Sequence, residues 1–229
     1  METSRLAQLK VEMFRYRVKV MGVCEVRWAG SGEIITKNAS QMLYSGNDQG
    51  GSNGVAILLD KTIRKSLINW KPVSDRIITA KLHPRLRKMT VVQCYAPTET
   101  SDDEAKDEFY YQLSNLVQET STLPSNVVGP FGYGTLTNNG RRLIEICTEH
   151  NLAIGGTLFP HKDIHKYTWE SPNGQTRNQI DHICISNKWQ SLLDVRNRRG
   201  VDIHSDHVLL TGDIRLRPSS IHDRLNKRM

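Results

Sequence analysis

Two short apolar runs in the last third of the chain, each opened by acidic residues, constrain its fold more than any other feature. From Thr168 the sequence reads T-W-E-S-P-N-G-Q-T-R-N-Q-I-D-H-I-C-I-S, then a polar linker, then H-S-D-H-V-L-L-T-G-D ending at Asp213. Residues 180–185 and 208–210 have the length and apolar content of buried strands bounded by polar turns. Asp181 lies near the start of the first run, and Asp206 with His207 opens the second. With those strands as neighbours, one imidazole sits between carboxylates. A carboxylate that accepts from one ring nitrogen fixes the tautomer and raises the basicity of the other nitrogen. A second carboxylate beside it is free to hold a hard metal ion. Taken alone, the pattern fits equally well two ordinary strand ends with solvated charges.

The rest of the chain alternates between strand and helix signals. Leu6, Leu9, Met13 and Tyr16 recur at helical spacing, which predicts a helix over residues 4–16 capped by Thr3 or Ser4. A buried strand over 18–24 follows and delivers Glu25 at its C-terminal mouth, and a Gly/Ser-rich turn leads into a hairpin. Residues 54–59, 76–82 and 89–94 predict consecutive antiparallel strands, the last ending at Tyr95. Acids at Asp102–Glu104 open a helix that Pro124 stops. A short strand over 126–129 and a helix over 138–150 come next. Strands meeting strands with helices between them predict an α/β sandwich, two sheets face to face with helices outside.

At 229 residues the chain fits one domain, residues 1–217, followed by a basic tail over 218–229. Hydrophobic content of 38% and charged content of 24% are those of a globular protein, and no apolar run approaches a membrane span. The N-terminus lacks the apolar core of a signal peptide. Cys24, Cys94, Cys147 and Cys184 each sit inside an apolar run without paired spacing, which predicts reduced thiols and an intracellular setting. The net charge of +7 and basic clusters at 85–88, 196–199 and 215–228 favour a polyanionic partner. A solvated basic surface has the same composition.

R-N-Q-I-D-H-I followed by S-D-H resembles the closing signature of the endonuclease/exonuclease/phosphatase superfamily. G-V-C-E-V-R-W (22–28) and V-V-Q-C-Y-A-P-T (91–98) fit the same family in the same order. The resemblance runs from about Leu6 to Leu216. Within the superfamily the chain is similar to the apurinic/apyrimidinic-like endonuclease domain of RTE-type non-LTR retrotransposons and to the craniofacial development protein 2-like proteins derived from them. The resemblance implies a DNase I-like fold, DNA as partner, a nuclear setting and Mg²⁺ or Mn²⁺ as cofactor. It implies Glu25 and Asp206 as metal carboxylates, and His207, held by Asp181, as the group that contacts the scissile phosphate. Tyr95 would hydrogen-bond that phosphate, and Thr168 and Asn178 would touch the nucleic-acid backbone. His182 and His204 match no family role and are expected to be structural.

The departures from the family bear on activity. After its acidic-start helix the family carries a strand ending in G-D-x-N, whose Asp handles the attacking water and whose Asn supports the transition state. Here Ser125–Gly129 passes directly to Pro130-Phe-Gly-Tyr-Gly134 and rejoins the pattern at Leu136, as an internal deletion near 129–130 would. The family's first strand, with its W-N dipeptide, is also absent. The expectation is a metal-dependent DNA phosphodiesterase domain with an eroded site, weak or inactive. The alternatives are a non-catalytic nucleic-acid- or protein-binding protein that keeps the fold, and a translated fragment without a selected role.

Overall fold

The computed structural model describes residues 4–85, 87–117, 127–186, 192–201 and 205–216. The described chain divides into two compact units, one running to Ala96 and joined by Leu216, the other Pro97–Arg215. Expectations for Pro124 and for the tail over 218–229 fall outside the described residues.

In the first unit, helix α1 (Ser4–Arg15) buries Leu6 and Met13, as its spacing predicts. Strands β1 (Val20–Cys24), β2 (Ser31–Ile35), β3 (Gln41–Ser45) and β4 (Val55–Leu59) form an antiparallel sheet in the order β1-β4-β3-β2. Strand β4 lies between β1 and β3, and all five of its residues are buried. That explains why it reads V-A-I-L-L without polar alternation: no face of it meets water. β1 is an edge strand, pairing with β4 alone among the described residues.

A second sheet has the order β5-β6-β7, with β5 (Leu67–Ser74), β6 (Ile77–Leu82) and β7 (Met89–Cys94). The predicted run of consecutive strands is therefore corrected: β4 pairs with β1 and β3, not with β6. Strand β5 was not foreseen. It carries Lys71 and Pro72, is largely exposed, and shifts register twice, which suits an edge strand and blurs its sequence signal. The two sheets pack face to face. Leu43, Val55, Ile57 and Leu59 of one meet Ile78, Ala80 and Leu82 of the other in a single water-free cluster.

In the second unit, helix α2 (Asp103–Leu116) is capped by the Asp102 carboxylate, which accepts from the Ala105 amide at 2.7 Å. Helix α3 (Asn138–Glu149) is capped by Thr137, and Glu99 adds a second acceptor for the Asn138 and Asn139 amides at 2.9 and 3.1 Å. Short pairs complete the unit: β8 (Leu152–Ile154) with β11 (Cys184–Ser186), β9 (Trp169–Glu170) with β10 (Arg177–Asn178), and β12 (Leu192–Arg198) with β13 (Leu209–Ile214). All four cysteines are free, with the Cys147 and Cys184 sulfurs 3.7 Å apart.

Three strand expectations change here. The run 180–185 is strand only from Cys184, because the Ile180 and Asp181 amides turn aside to the Thr168 hydroxyl. β12 lies in what reads as a polar linker, since Asp194, Arg196 and Arg198 alternate with the buried Val195 and Asn197. Residues 127–129 form no strand. Instead the Val127 carbonyl accepts from Ile154, and Gly129 packs on a 3-10 turn at Gly155–Thr157. Its amide donates to Thr157 Oγ1 at 2.8 Å, and a Cβ on it would lie 2.3 Å from the Thr157 carbonyl oxygen.

Ile57, fully buried at the centre of β4, is the most direct test of the first unit's core. Ile57→Ala is expected to lower unfolding stability by about 2–5 kcal/mol, measured by urea titration. A loss under about 1 kcal/mol would mean that the facing sheets collapse onto the void rather than holding it open.

Candidate active site

In the first unit the pairing of β1 with β4 continues past Cys24 as isolated backbone bonds. Val26 donates to the Gly54 carbonyl at 3.1 Å, Arg27 to the Asn53 carbonyl at 3.0 Å, and the Arg27 carbonyl accepts from Gly51 at 3.0 Å. The chain here takes left-handed conformations at Glu25 (φ 54°) and Arg27 (φ 57°). Residues with a Cβ rarely sit there unless surrounding bonds over-determine it. The result folds both side chains onto each other. Glu25 Oε1 accepts from the Tyr95 hydroxyl at 2.7 Å, and Oε2 accepts from Arg27 Nη2 at 2.6 Å.

Tyr95 is held from behind by Arg76. The Tyr95 amide donates to the Arg76 carbonyl at 2.9 Å, and Arg76 Nη1 donates to the Tyr95 carbonyl at 3.1 Å. The Arg76 guanidinium also stands 5.3 Å from the centre of the Tyr95 ring. Burial pushes the phenol's pKa up to about 12, helped by its bond to the Glu25 carboxylate and by that charge, and opposed by Arg76. Tyr95 is therefore a proton donor at neutral pH.

In the second unit His207 Nδ1 lies 2.8 Å from Asp181 Oδ2. An ionised carboxylate can only accept, so Nδ1 carries the proton and Nε2 is left free of it in the neutral ring. Asp206, next in sequence, points its Oδ2 at the indole of Trp169, which donates at 2.7 Å. The backbone is tied as well: Trp169 and His207 form an antiparallel bridge, and Glu170 donates to the Asp206 carbonyl at 3.2 Å. His182 turns its ring into the protein. Its Nδ1 is buried, and burial pushes its pKa down. His204 lies outside the described residues.

Two expectations for nucleic-acid contacts part company. Asn178 is exposed on β10, where a ligand can reach it. Thr168 is fully buried, and its hydroxyl already accepts from the Ile180 and Asp181 amides, so it stands behind the loop rather than on its surface. Sequence reasoning also passed over Trp169, Arg27 and Arg76. Trp169 sits inside the motif quoted above, and its indole N–H needs an acceptor when half-buried, which was the available signal. A second His–Asp pair, His161 Nε2 to Asp194 Oδ1 at 2.5 Å, had no spacing signal at all. Burial raises the Asp194 pKa, but His161 and Arg196 outweigh it and hold the carboxyl below its ordinary range.

No family model matches the chain. Craniofacial development protein 2 of Bos taurus is 32% identical over 95% of this chain, and that of Tragulus javanicus is 31% identical over the same share. The chain spans 40% and 41% of those two proteins. Among solved structures, the endonuclease domain of TRAS1, a telomere-specific non-LTR retrotransposon, superposes with a TM-score of 0.63 at 14% identity, covering 92% of each chain. The likeness to that domain is one of fold: among the described residues, the α/β architecture of antiparallel sheets and three helices is DNase I-like.

Folds of this kind generally use divalent metals. Among the described residues, no three His, Cys, Asp or Glu side chains gather as a ready metal cluster. Mg²⁺ does not require one, since it usually keeps several waters and takes one or two carboxylates. Each considered within its own unit, Glu25 and Asp206 carry hard oxygens on exposed carboxylates, although Glu25 Oε2 must first part from Arg27. No helix among the described residues is long and apolar enough to cross a membrane.

The Glu25–Tyr95 bond predicts a spectroscopic change. Glu25→Gln removes the negative charge, so the Tyr95 pKa should fall from about 12 toward the ordinary value. Burial remains, so the fall is partial. By linkage, a raised phenol pKa supports the native state fully below the ordinary tyrosine pKa, about 10, and that support is lost as pH rises through the folded value. Ultraviolet titration of tyrosinate in the wild type and variant reads the shift. Identical curves would show that the Glu25 contact does not govern the phenol.

Proposed function

We propose that this chain is a metal-dependent phosphodiesterase domain of retrotransposon endonuclease origin, with DNA as its substrate and an eroded active site. The observation that carries the reading is the His207–Asp181 hydrogen bond on a DNase I-like fold. With Nδ1 bound to Asp181, the Nε2 nitrogen can hold or yield a proton at a phosphate oxygen. In the other unit the Tyr95 hydroxyl, protonated at neutral pH, donates to Glu25 and is by itself a donor suited to a phosphate oxygen. Glu25 in the first unit and, separately, Asp206 in the second are candidate carboxylates for Mg²⁺ or Mn²⁺. When bound, the cation would neutralise phosphate charge and lower the pKa of a water.

A specific observation favours weak or absent turnover. After Gly129 no acid or amide side chain follows where the family carries G-D-x-N, and the backbone is tied down instead, with Gly129 and Phe131 bonded to Thr157. The loss of a positioned acid–base group costs about 10²–10⁴-fold in rate. The same observation supports a second reading, a non-catalytic nucleic-acid- or protein-binding protein that keeps the fold. In either case binding to DNA would be electrostatic and the protein nuclear. Part of the basic surface is internally neutralised: Arg196 donates to Asp194 at 2.6 Å, and Arg198 lies 3.9 Å from the Asp213 carboxylate.

A supercoiled-plasmid nicking assay with and without Mg²⁺ tests the reading. Nicking at or below detection is expected, with duplex binding that weakens steeply between low and high salt. Robust nicking abolished by Glu25→Ala would overturn the eroded site, and binding indifferent to salt would overturn DNA as the partner.

Arg27 supplies a separate check on the metal carboxylate. Its guanidinium competes with a cation for Glu25 Oε2, and exposed ion pairs of this kind are worth up to about 1 kcal/mol. Arg27→Ala should therefore tighten Mn²⁺ binding about two- to fivefold by calorimetry. Unchanged or weaker binding would argue against Glu25 as a metal ligand.

A further inference from the structure

Thr168 makes four hydrogen bonds, one of them to Asp181 of the candidate acid–base pair and one to Val208, the neighbour of His207. Its hydroxyl oxygen accepts from the Ile180 amide at 3.0 Å and from the Asp181 amide at 2.9 Å. Its own amide donates to the Asn178 carbonyl at 2.9 Å, and its carbonyl accepts from Val208 at 2.7 Å. The side chain has no solvent exposure. One buried residue thus fixes the backbone at Asp181 itself and at the residue after His207. Those are the two segments whose side chains meet at 2.8 Å.

We propose that Thr168 is a positioning residue for the His207–Asp181 pair, acting through its hydroxyl and without touching a ligand. The inference rests on the phosphodiesterase reading above for its catalytic meaning, though its geometry stands on the structure alone. An ordinary buried threonine caps a turn through one amide or returns its hydroxyl to its own helix. This one takes two successive amides, and the second belongs to the acid that orients the imidazole. Without that acceptor, two part-buried N–H groups lose their partner, and the segment 180–181 shifts to find others. Asp181 Oδ2 moves with it, and His207 loses the bond that holds its proton on Nδ1.

The second His–Asp pair of the same unit provides an internal control. His161 and Asp194 also meet, at 2.5 Å, but no bond of Thr168 reaches either of them. A general loosening of the unit would disturb both pairs, whereas loss of a positioning contact disturbs His207 alone.

The test uses the full chain at neutral pH and reads histidine tautomers by long-range ¹H–¹⁵N correlation, with amide hydrogen exchange alongside. Thr168→Val keeps the shape and removes the acceptor, and Thr168→Ser keeps the acceptor. Expected for Thr168→Val are faster exchange at Ile180 and Asp181 and a His207 tautomer no longer confined to Nδ1–H, with His161 unchanged. Thr168→Ser should restore the wild-type His207 signature. If Thr168→Val fails to fold, Thr168→Cys, with only a weak acceptor at similar volume, carries the same expectation. A His207 signature unchanged in the acceptor-free variant, or His161 lost together with His207, overturns the proposal. A shifted His207 in a protein that does not bind duplex DNA overturns the phosphodiesterase reading and leaves the positioning role standing.

Discussion

Every backbone amide that leaves a ladder and stays out of water must find another acceptor, and this requirement shapes the loops that carry the candidate site. Strand β4 illustrates the regular solution, with neighbours on both edges and no exposure on either face. The loops use an irregular one, built from single buried threonines. Thr168 collects the amides at 180 and 181, and Thr157 collects those of Gly129 and Phe131, one through its hydroxyl and one through its carbonyl. Each such residue replaces a missing stretch of ladder at one point. The side chains that follow inherit their positions from it: the Asp181 amide is bound to Thr168, and the carboxylate of the same residue meets His207.

Glu25 and Arg27 reach a comparable precision by strain. Non-glycine residues in left-handed backbone cost about 1–3 kcal/mol each, and two lie within three positions here. The bonds to Asn53, Gly54 and Gly51 hold them there, and the outcome is a carboxylate with a donor on each oxygen. A carboxylate so satisfied is well placed but not vacant. Its availability to a cation depends on how readily an exposed arginine is displaced, and for a pair on the surface the cost of displacement is small.

The apolar period made most of the architecture legible. Residues of β1, β4, β6, β7 and the three helices have sequences that match their burial, and the family motifs placed Glu25, Tyr95, Asp181 and His207 at strand ends before any coordinates. Failures occurred where charge hides burial. β12 was read as a linker because its arginines and aspartate show outward while Val195 and Asn197 carry the buried face. β5 was missed because a proline and a lysine are tolerable on an edge. Residues 180–183 look like the start of a strand, since no sequence rule says that a threonine twelve residues earlier will take their amides. His161 and Asp194 are 33 residues apart, and only packing brings them together.

Survival of the His207–Asp181 bond does not by itself argue for survival of catalysis. A hydrogen bond between two side chains tolerates shifts that a reaction does not, because rate depends on the placement of reacting atoms to within a fraction of an ångström. The segment after Gly129 is the decisive contrast. The Gly129 amide donates to the Thr157 hydroxyl and the Phe131 amide to the Thr157 carbonyl, so neither amide is left unsatisfied. What these bonds cannot supply is a side chain aimed at water, because Gly129, Pro130 and Phe131 have neither acid nor amide to aim. Folding and chemistry therefore make separable demands on this stretch: the backbone requirement is met by any sequence that reaches Thr157, while the chemical one needs a particular carboxylate. A chain can lose the second without the first.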